Sequence, residues 1–259
     1  MTFREEIEQQ AQIARREMVR SRQLLTSIEF CGRLGVSERR LARMVAAGSV
    51  FAIDVDGVMY FPAFLADPFV DRKRLQSVCR MLVPAPPNCR LHYLSSRQGN
   101  LGSITPLEAL ADDGSYRRLR QMARAYASEW SRTVVHIWAG YYRPGELEPT
   151  YVAAIDVDPR TNLWKRALEA IEAGGYIAPP PPYPTADAAT VLVTRSDTGD
   201  LNHVEEAKLD VRIVDNVARV LIYPPDFRQK LEEVSVGGAD SIVEVVRQIM
   251  AAFCHVKRS

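Results

Sequence analysis

The sequence predicts an α+β protein: an N-terminal winged helix-turn-helix, a helical middle region and a C-terminal mixed α+β domain. Three observations predict it. Two capped, glycine-terminated amphipathic stretches follow one another in "LLTSIEFCGRLGVSERRLARMVAAGSV". The next segment, "FAIDVDGVMYFPAF", reads as strand, two-residue turn and strand. From Thr133 onward, helical periodicity gives way to apolar runs of strand length. The predicted segments are a helical arm at 1–23, the winged helix-turn-helix at 24–67, a helical region at 68–130 and an α+β domain at 131–259.

The first residues, 4–24, contain many strong helix formers and few turn formers. Their polarity points to an exposed arm or a dimerisation helix. Thr26 or Ser27 can cap the next helix, which runs through Ile28, Phe30, Cys31 and Leu34 and stops at Gly35. Ser37 caps a second helix with Leu41, Met44 and Val45 at helical spacing, ended by Gly48. Outward positions of this second helix carry Arg39, Arg40 and Arg43. A helix-turn-helix presents such positions to base edges and phosphates, so Ser37, Arg39, Arg40 and Arg43 are the candidate DNA-binding residues.

In the hairpin, Phe51, Ile53 and Val55 alternate with small or acidic residues, and Asp56-Gly57 supplies a turn needing positive φ at both positions. Val58 to Phe61 return as the partner strand and Pro62 ends it. The same Asp54-x-Asp56 spacing occurs in phosphatases of the haloacid dehalogenase type, where it holds Mg²⁺ and attacks a phosphate. That chemistry also needs a Ser or Thr after a second strand, a lysine and a later acidic pair. Asp112-Asp113 falls in a helix-and-turn setting instead, so the segment is read as a turn. Its acidic tip is a difficulty for a DNA-contacting wing, because Asp54 and Asp56 repel phosphates.

The stretch "DPFVDRKRLQSVCRMLV" reads as one helix, "PAPPN" as a break and "RLHYLSSRQG" as a short helix or strand. "SITPLEALADDG" carries a helix N-terminus signature: Thr105 as cap, Pro106 first, Glu108 third. "SYRRLRQMARAYASEW" is a further amphipathic helix with Leu119, Met122, Ala123 and Tyr126 on one face.

The run "NLGSITPLEALADDGSYRRLRQMARAYASEW" resembles the C-terminal signature of MbcA/ParS/Xre-type antitoxins, with Leu101, Gly102, Thr105, Pro106, Leu107, Leu110, Ala123 and Ala125 in matching places. The segment before it resembles the excisionase- or MerR-like winged domain that accompanies this signature. The resemblance spans about residues 24–130. It implies a DNA-binding regulator, with the N-terminal part on its own promoter. It also implies a cognate toxin bound by the signature region, here Leu101, Thr105, Pro106, Leu107 and Leu110. Antitoxins of this group are much shorter than this chain.

Beyond residue 131, "TVVHIWAGYY" and "YVAAIDVD" read as strands joined through "RPGELEPT". "NLWKRALEAIEAGG" is a helix capped by Asn162 and ended at Gly174-Gly175, and "YIAPPPPYPTADA" a stiff loop. "ATVLVTRS" is a strand, and "DVRIVDNVARVLIYPP" one long strand or a hairpin about Asp215-Asn216. "DFRQKLEEV" and "ADSIVEVVRQIMAAFCHV" are expected as closing helices. Asp156 and Asp158 form a possible divalent-metal pair at a strand end, and His136 and His203 are possible acid-base groups.

Composition bounds these readings. With 259 residues and 47% hydrophobic content, the chain can bury two small cores or one large one. No apolar run has membrane-spanning length, and the N-terminus lacks the apolar stretch of a secretory leader. Cys31, Cys79, Cys89 and Cys254 form no CxxC pair, so neither a disulfide framework nor a zinc site is expected. No catalytic motif, cofactor or resident metal is expected, and the protein is expected to be cytoplasmic and a homodimer. Net charge is +1, but residues 1–130 hold 19 basic against 14 acidic residues and residues 131–259 hold 14 against 18. Eight arginines lie between Arg15 and Val50, a footprint suited to phosphates. The alternatives are a protein-interaction module without DNA binding, or an enzyme with a divalent metal on Asp156 and Asp158.

Overall fold

The computed structural model describes residues 3–141, 148–174, 180–197, 203–223 and 229–255. The chain is α+β, with two antiparallel sheets and eight α-helices among the described residues. It divides into two units, residues 1–127 and 128–259.

The first unit begins with α1 (Phe3–Arg20), shorter than the predicted helix because the chain turns through Ser21–Gln23 into β1 (Leu24–Leu25). α2 (Ser27–Leu34) and α3 (Glu38–Ala46) follow, then β2 (Ile53–Val55) and β3 (Val58–Pro62). The strand order is β1-β3-β2, so β3 pairs on both edges. Asp56 and Gly57 join β2 to β3 with φ of 55° and 81°, the positive values a two-residue hairpin turn requires.

The middle of the chain is helical: α4 (Arg72–Met81), α5 (Pro87–Ser95) and α6 (Asp113–Ser128). α4 starts later than predicted because Asp71 caps it, its carboxylate accepting from the Arg74 N–H. The Thr105 signature closes as predicted, with Thr105 and Glu108 bonded reciprocally, but opens only a single 3₁₀ turn at Glu108–Ala111. The turn stops at Asp112, whose extended backbone and carboxylate start α6 instead. One apolar core runs from Leu24 through Phe30, Ile53, Leu75, Val78 and Leu94 to Leu119 and Ala123. The predicted segments 24–67 and 68–130 therefore share a core.

Among the described residues the second unit is a six-stranded sheet, order β5-β4-β6-β7-β8-β9, with two helices. Its elements are β4 (Ser131–Ala139), β5 (Tyr151–Asp156), α7 (Leu163–Ala173), β6 (Ala188–Asp197), β7 (Val204–Val214), β8 (Val217–Tyr223), β9 (Lys230–Ser235) and α8 (Ile242–His255). The Asp215-Asn216 segment is a hairpin turn, both residues at positive φ. Alternate residues of the strands, among them Ile137, Val191, Leu209 and Val220, pack with Ala167, Ala170, Val246, Ile249 and Met250 of the helices.

The predicted helix "DFRQKLEEV" is a correction. Asp226–Arg228 lie outside the described residues, but Lys230–Ser235 form an edge strand paired with β8. Glu and Lys favour helix locally, yet the open edge of β8 supplies a hydrogen-bonding partner that outweighs that weak preference, and charged side chains suit an edge.

A β-bulge in β7 leaves Glu206 as an extra residue between Glu205 and Ala207. Arg166, 3% exposed, fills the site: it donates to both carboxylate oxygens of Glu206 at 2.8 and 3.0 Å and to Thr133 Oγ1 at 2.7 Å. Glu206→Ala strands that guanidinium in the core and is expected to destabilise the second unit by about 3 kcal/mol, measured by urea denaturation. In the first unit, Gly48 sits at φ +66°, and an added Cβ would stand 2.3 Å from a Val83 methyl. Gly48→Ala is expected to cost about 2 kcal/mol or more in the same measurement, from backbone strain and overpacking together.

Candidate nucleic-acid interface

α2 begins with a capping box: Thr26 Oγ1 accepts from the Glu29 N–H, and the Glu29 carboxylate accepts from the Thr26 N–H at 3.0 Å. The bond from the Thr26 N–H, then one donated by the Thr26 hydroxyl at 2.9 Å, holds the Glu29 carboxyl below the usual range. α2 closes on Gly35, left-handed at φ 70°, whose N–H donates to the Cys31 carbonyl. Two residues later Ser37 starts α3, its Oγ accepting from the Arg40 N–H at 3.3 Å. Leu41 of α3 is 4% exposed and enters the core with Phe30 and Leu34 of α2. Ile28, in contrast, stands out to solvent.

This packing leaves the opposite side of α3 to water. Arg39, Arg40 and Arg43 are all exposed. Arg43 lies four residues from Arg39 and three from Arg40, so the three guanidinium groups share one face. None of their side chains has a hydrogen bond or ion pair among the described residues. Three neighbouring unpaired arginines repel one another, and a polyanion relieves that repulsion. Ser37 differs from the rest of the predicted set, since its hydroxyl is occupied as a cap.

The hairpin tip is not bare. Arg16 of α1 grips the Asp56 carboxylate with two bonds, Nε to Oδ2 at 2.7 Å and Nη2 to Oδ1 at 2.9 Å. Gln12, one turn earlier on the same face, donates to Oδ1 at 2.8 Å. The Arg16 hydrogen bond, then that of Gln12, holds the Asp56 carboxyl below its ordinary range. Asp54 is used within the turn, accepting from the Gly57 N–H at 3.1 Å. Sequence reasoning missed Gln12 and Arg16. Their i, i+4 spacing was visible, but not the residue they would meet.

The predicted partner-binding residues fall largely in the unit's own interior. Leu101 and Leu110 are 5% and 2% exposed, Pro106 is buried and Thr105 is a cap. Leu107 remains partly exposed, lining a groove of about 410 Å³ with Leu110, Ala111, Val70, Asp71, Glu108 and Phe69, a residue 96% exposed. Arg74 at this groove is already engaged by the Leu110 carbonyl, Asp71 and Asp113.

In the second unit each candidate metal ligand meets an arginine. Asp156 takes two bonds from Arg132, at 2.7 and 3.2 Å, and Asp158 is gripped by Arg160. No group of three or more His, Cys, Asp or Glu among the described residues is placed to hold a metal ion. His136 stacks on Trp138 at 5.8 Å, and burial, with a smaller effect of His203, lowers its pKa. The four cysteines are free, and burial pushes the Cys79 thiol up to about 12, far from a thiolate nucleophile at neutral pH. No helix among the described residues is long and apolar enough to cross a membrane. No protein-family model matches the chain, and neither a curated protein nor a solved structure matches it.

Proposed function

We propose that the first unit is a winged helix-turn-helix that binds duplex DNA, and that the protein is an antitoxin-like transcriptional regulator acting in the cytoplasm on its own promoter. The observation that carries this reading is the cluster of Arg39, Arg40 and Arg43 on one solvent face of α3, with no side-chain partner among the described residues. α3 is nine residues long, and an α-helix, about 10–12 Å across with its side chains, fits a major groove about 12 Å wide. Arg39 and Arg40 stand in its first turn, where a recognition helix meets base edges, and Arg43 follows one turn on. Ser37 contributes by fixing the helix start. A basic balance supports the same partner: residues 1–127 hold 19 basic against 13 acidic residues. A homodimer would match a two-fold operator. The second unit is assigned a sensing or partner-binding role, and a toxin remains the partner that the motif resemblance implies.

A second reading is a protein-interaction module without DNA binding. The exposed Phe69 beside the Leu107 groove favours it, since an exposed phenylalanine at the rim of a hollow lined by both apolar and charged residues offers an anchor and polar partners to a docking chain.

Fluorescence anisotropy against a labelled duplex from upstream of the gene tests the DNA reading. Wild-type affinity is expected to fall steeply with salt, by counterion release. Arg40→Ala is expected to weaken binding by about 1–3 kcal/mol and to relax base preference if Arg40 reads a base. Salt-insensitive binding, or an Arg40→Ala protein indistinguishable from wild type, would move the function to the Phe69 surface.

A further inference from the structure

A DNA-binding wing should not end in a carboxylate. Asp56 occupies the tip because the turn needs φ of 55° there, a conformation Asp and Asn tolerate better than most residues. Asn would serve the turn without charge. The charge has a use in this fold: it recruits Arg16 and Gln12 across 40 and 44 residues of sequence. The clamp lies on the surface, with the Arg16 and Asp56 side chains 53% and 43% exposed, so it remains accessible to a large partner. Arg15, next along α1, also bears on the Asp56 carboxylate electrostatically. The tip and the helix against it thus combine two carboxylates, Asp54 and Asp56, with Arg15 and Arg16. Asp54 is meanwhile bonded to the Gly57 N–H.

We infer that α1 belongs to the DNA-binding face, with Arg16 as an electrostatic cap that lets the acidic hairpin tip approach the phosphate backbone. The inference rests on the DNA-binding reading above and adds a second element to it. α3 supplies the groove contacts. The hairpin, capped by α1, is the flanking surface beside the phosphates. Arg16 is a positioning residue here, acting through Asp56. Without it, the tip carboxylate keeps only the Gln12 bond and the weaker influence of Arg15, and presents more of its charge to a polyanion. With Asp56 also neutralised, Arg16 is no longer needed.

The test is a set of four variants, Arg16→Ala, Asp56→Asn, the double variant and Arg40→Ala, each confirmed folded by an unchanged thermal melt. The probe is a labelled mixed-sequence duplex of about 25 base pairs, because the phosphate contribution is independent of sequence. Arg16→Ala is expected to weaken binding about threefold to tenfold at about 50 mM salt, with the difference shrinking as screening shortens at about 200 mM. Asp56→Asn is expected to bind at least as tightly as wild type, and the double variant to match Asp56→Asn. A merely structural clamp gives a different pattern, in which Asp56→Asn and the double variant weaken as Arg16→Ala does, and that pattern overturns the inference. So does an Arg16→Ala protein that binds like wild type while Arg40→Ala is weakened, which leaves α3 as the DNA contact. Absence of salt-sensitive binding by the wild type removes both readings together.

Discussion

The architecture of the first unit turns on β3. Its five residues pair with β1 on one edge and β2 on the other, so the chain on either side of the helix pair is tied to one strand. Phe61 of this strand stacks on Phe30 of α2 at 4.9 Å, a contact worth about 1 kcal/mol beyond the area it buries. Leu41 fastens α3 into the same core. The three arginines of α3 therefore stand on a helix whose position is set by a strand and an aromatic pair. A rigid support of this kind reduces the ordering that binding would otherwise require.

Local rules explain which parts of this were legible in the sequence. Thr26, Ser37, Asn162, Gly35 and Gly174 mark helix ends because each satisfies, or permits, a specific backbone geometry within four residues. The Asp56-Gly57 and Asp215-Asn216 turns were legible for the same reason. Choices of long-range partner left no such mark. Nothing in the spacing of Gln12 and Arg16 names Asp56. Nothing in "KLEEVS" says that β8 will offer it an open edge, and its local preference points to helix. Leu101 and Leu110 show a third limit. An apolar residue in a recognisable motif has the same letter whether it serves a partner or its own core, and here burial assigns both to the core.

Charge distribution separates the two units by how their polar groups are used. In the second unit Arg132, Arg160 and Arg166 each meet a carboxylate, at Asp156, Asp158 and Glu206. Those pairs occupy the acidic residues that a metal would need. The surface pairs add little stability, while the enclosed Arg166–Glu206 pair is required once the bulge has placed it there. In the first unit the hairpin carboxylate is paired, and the α3 arginines have no side-chain partner among the described residues. Leaving exposed arginines without partners costs the fold little, because an exposed ion pair would have returned at most about 1 kcal/mol. What the arrangement retains is potential. Three arginines on α3 outnumber that helix's one carboxylate, Glu38, so its exposed face keeps a net positive charge. The clamp on Asp56 and the exposed face of α3 thus use charge in opposite ways: one satisfies a surface carboxylate inside the fold, and the other leaves surface arginines available to a partner outside it.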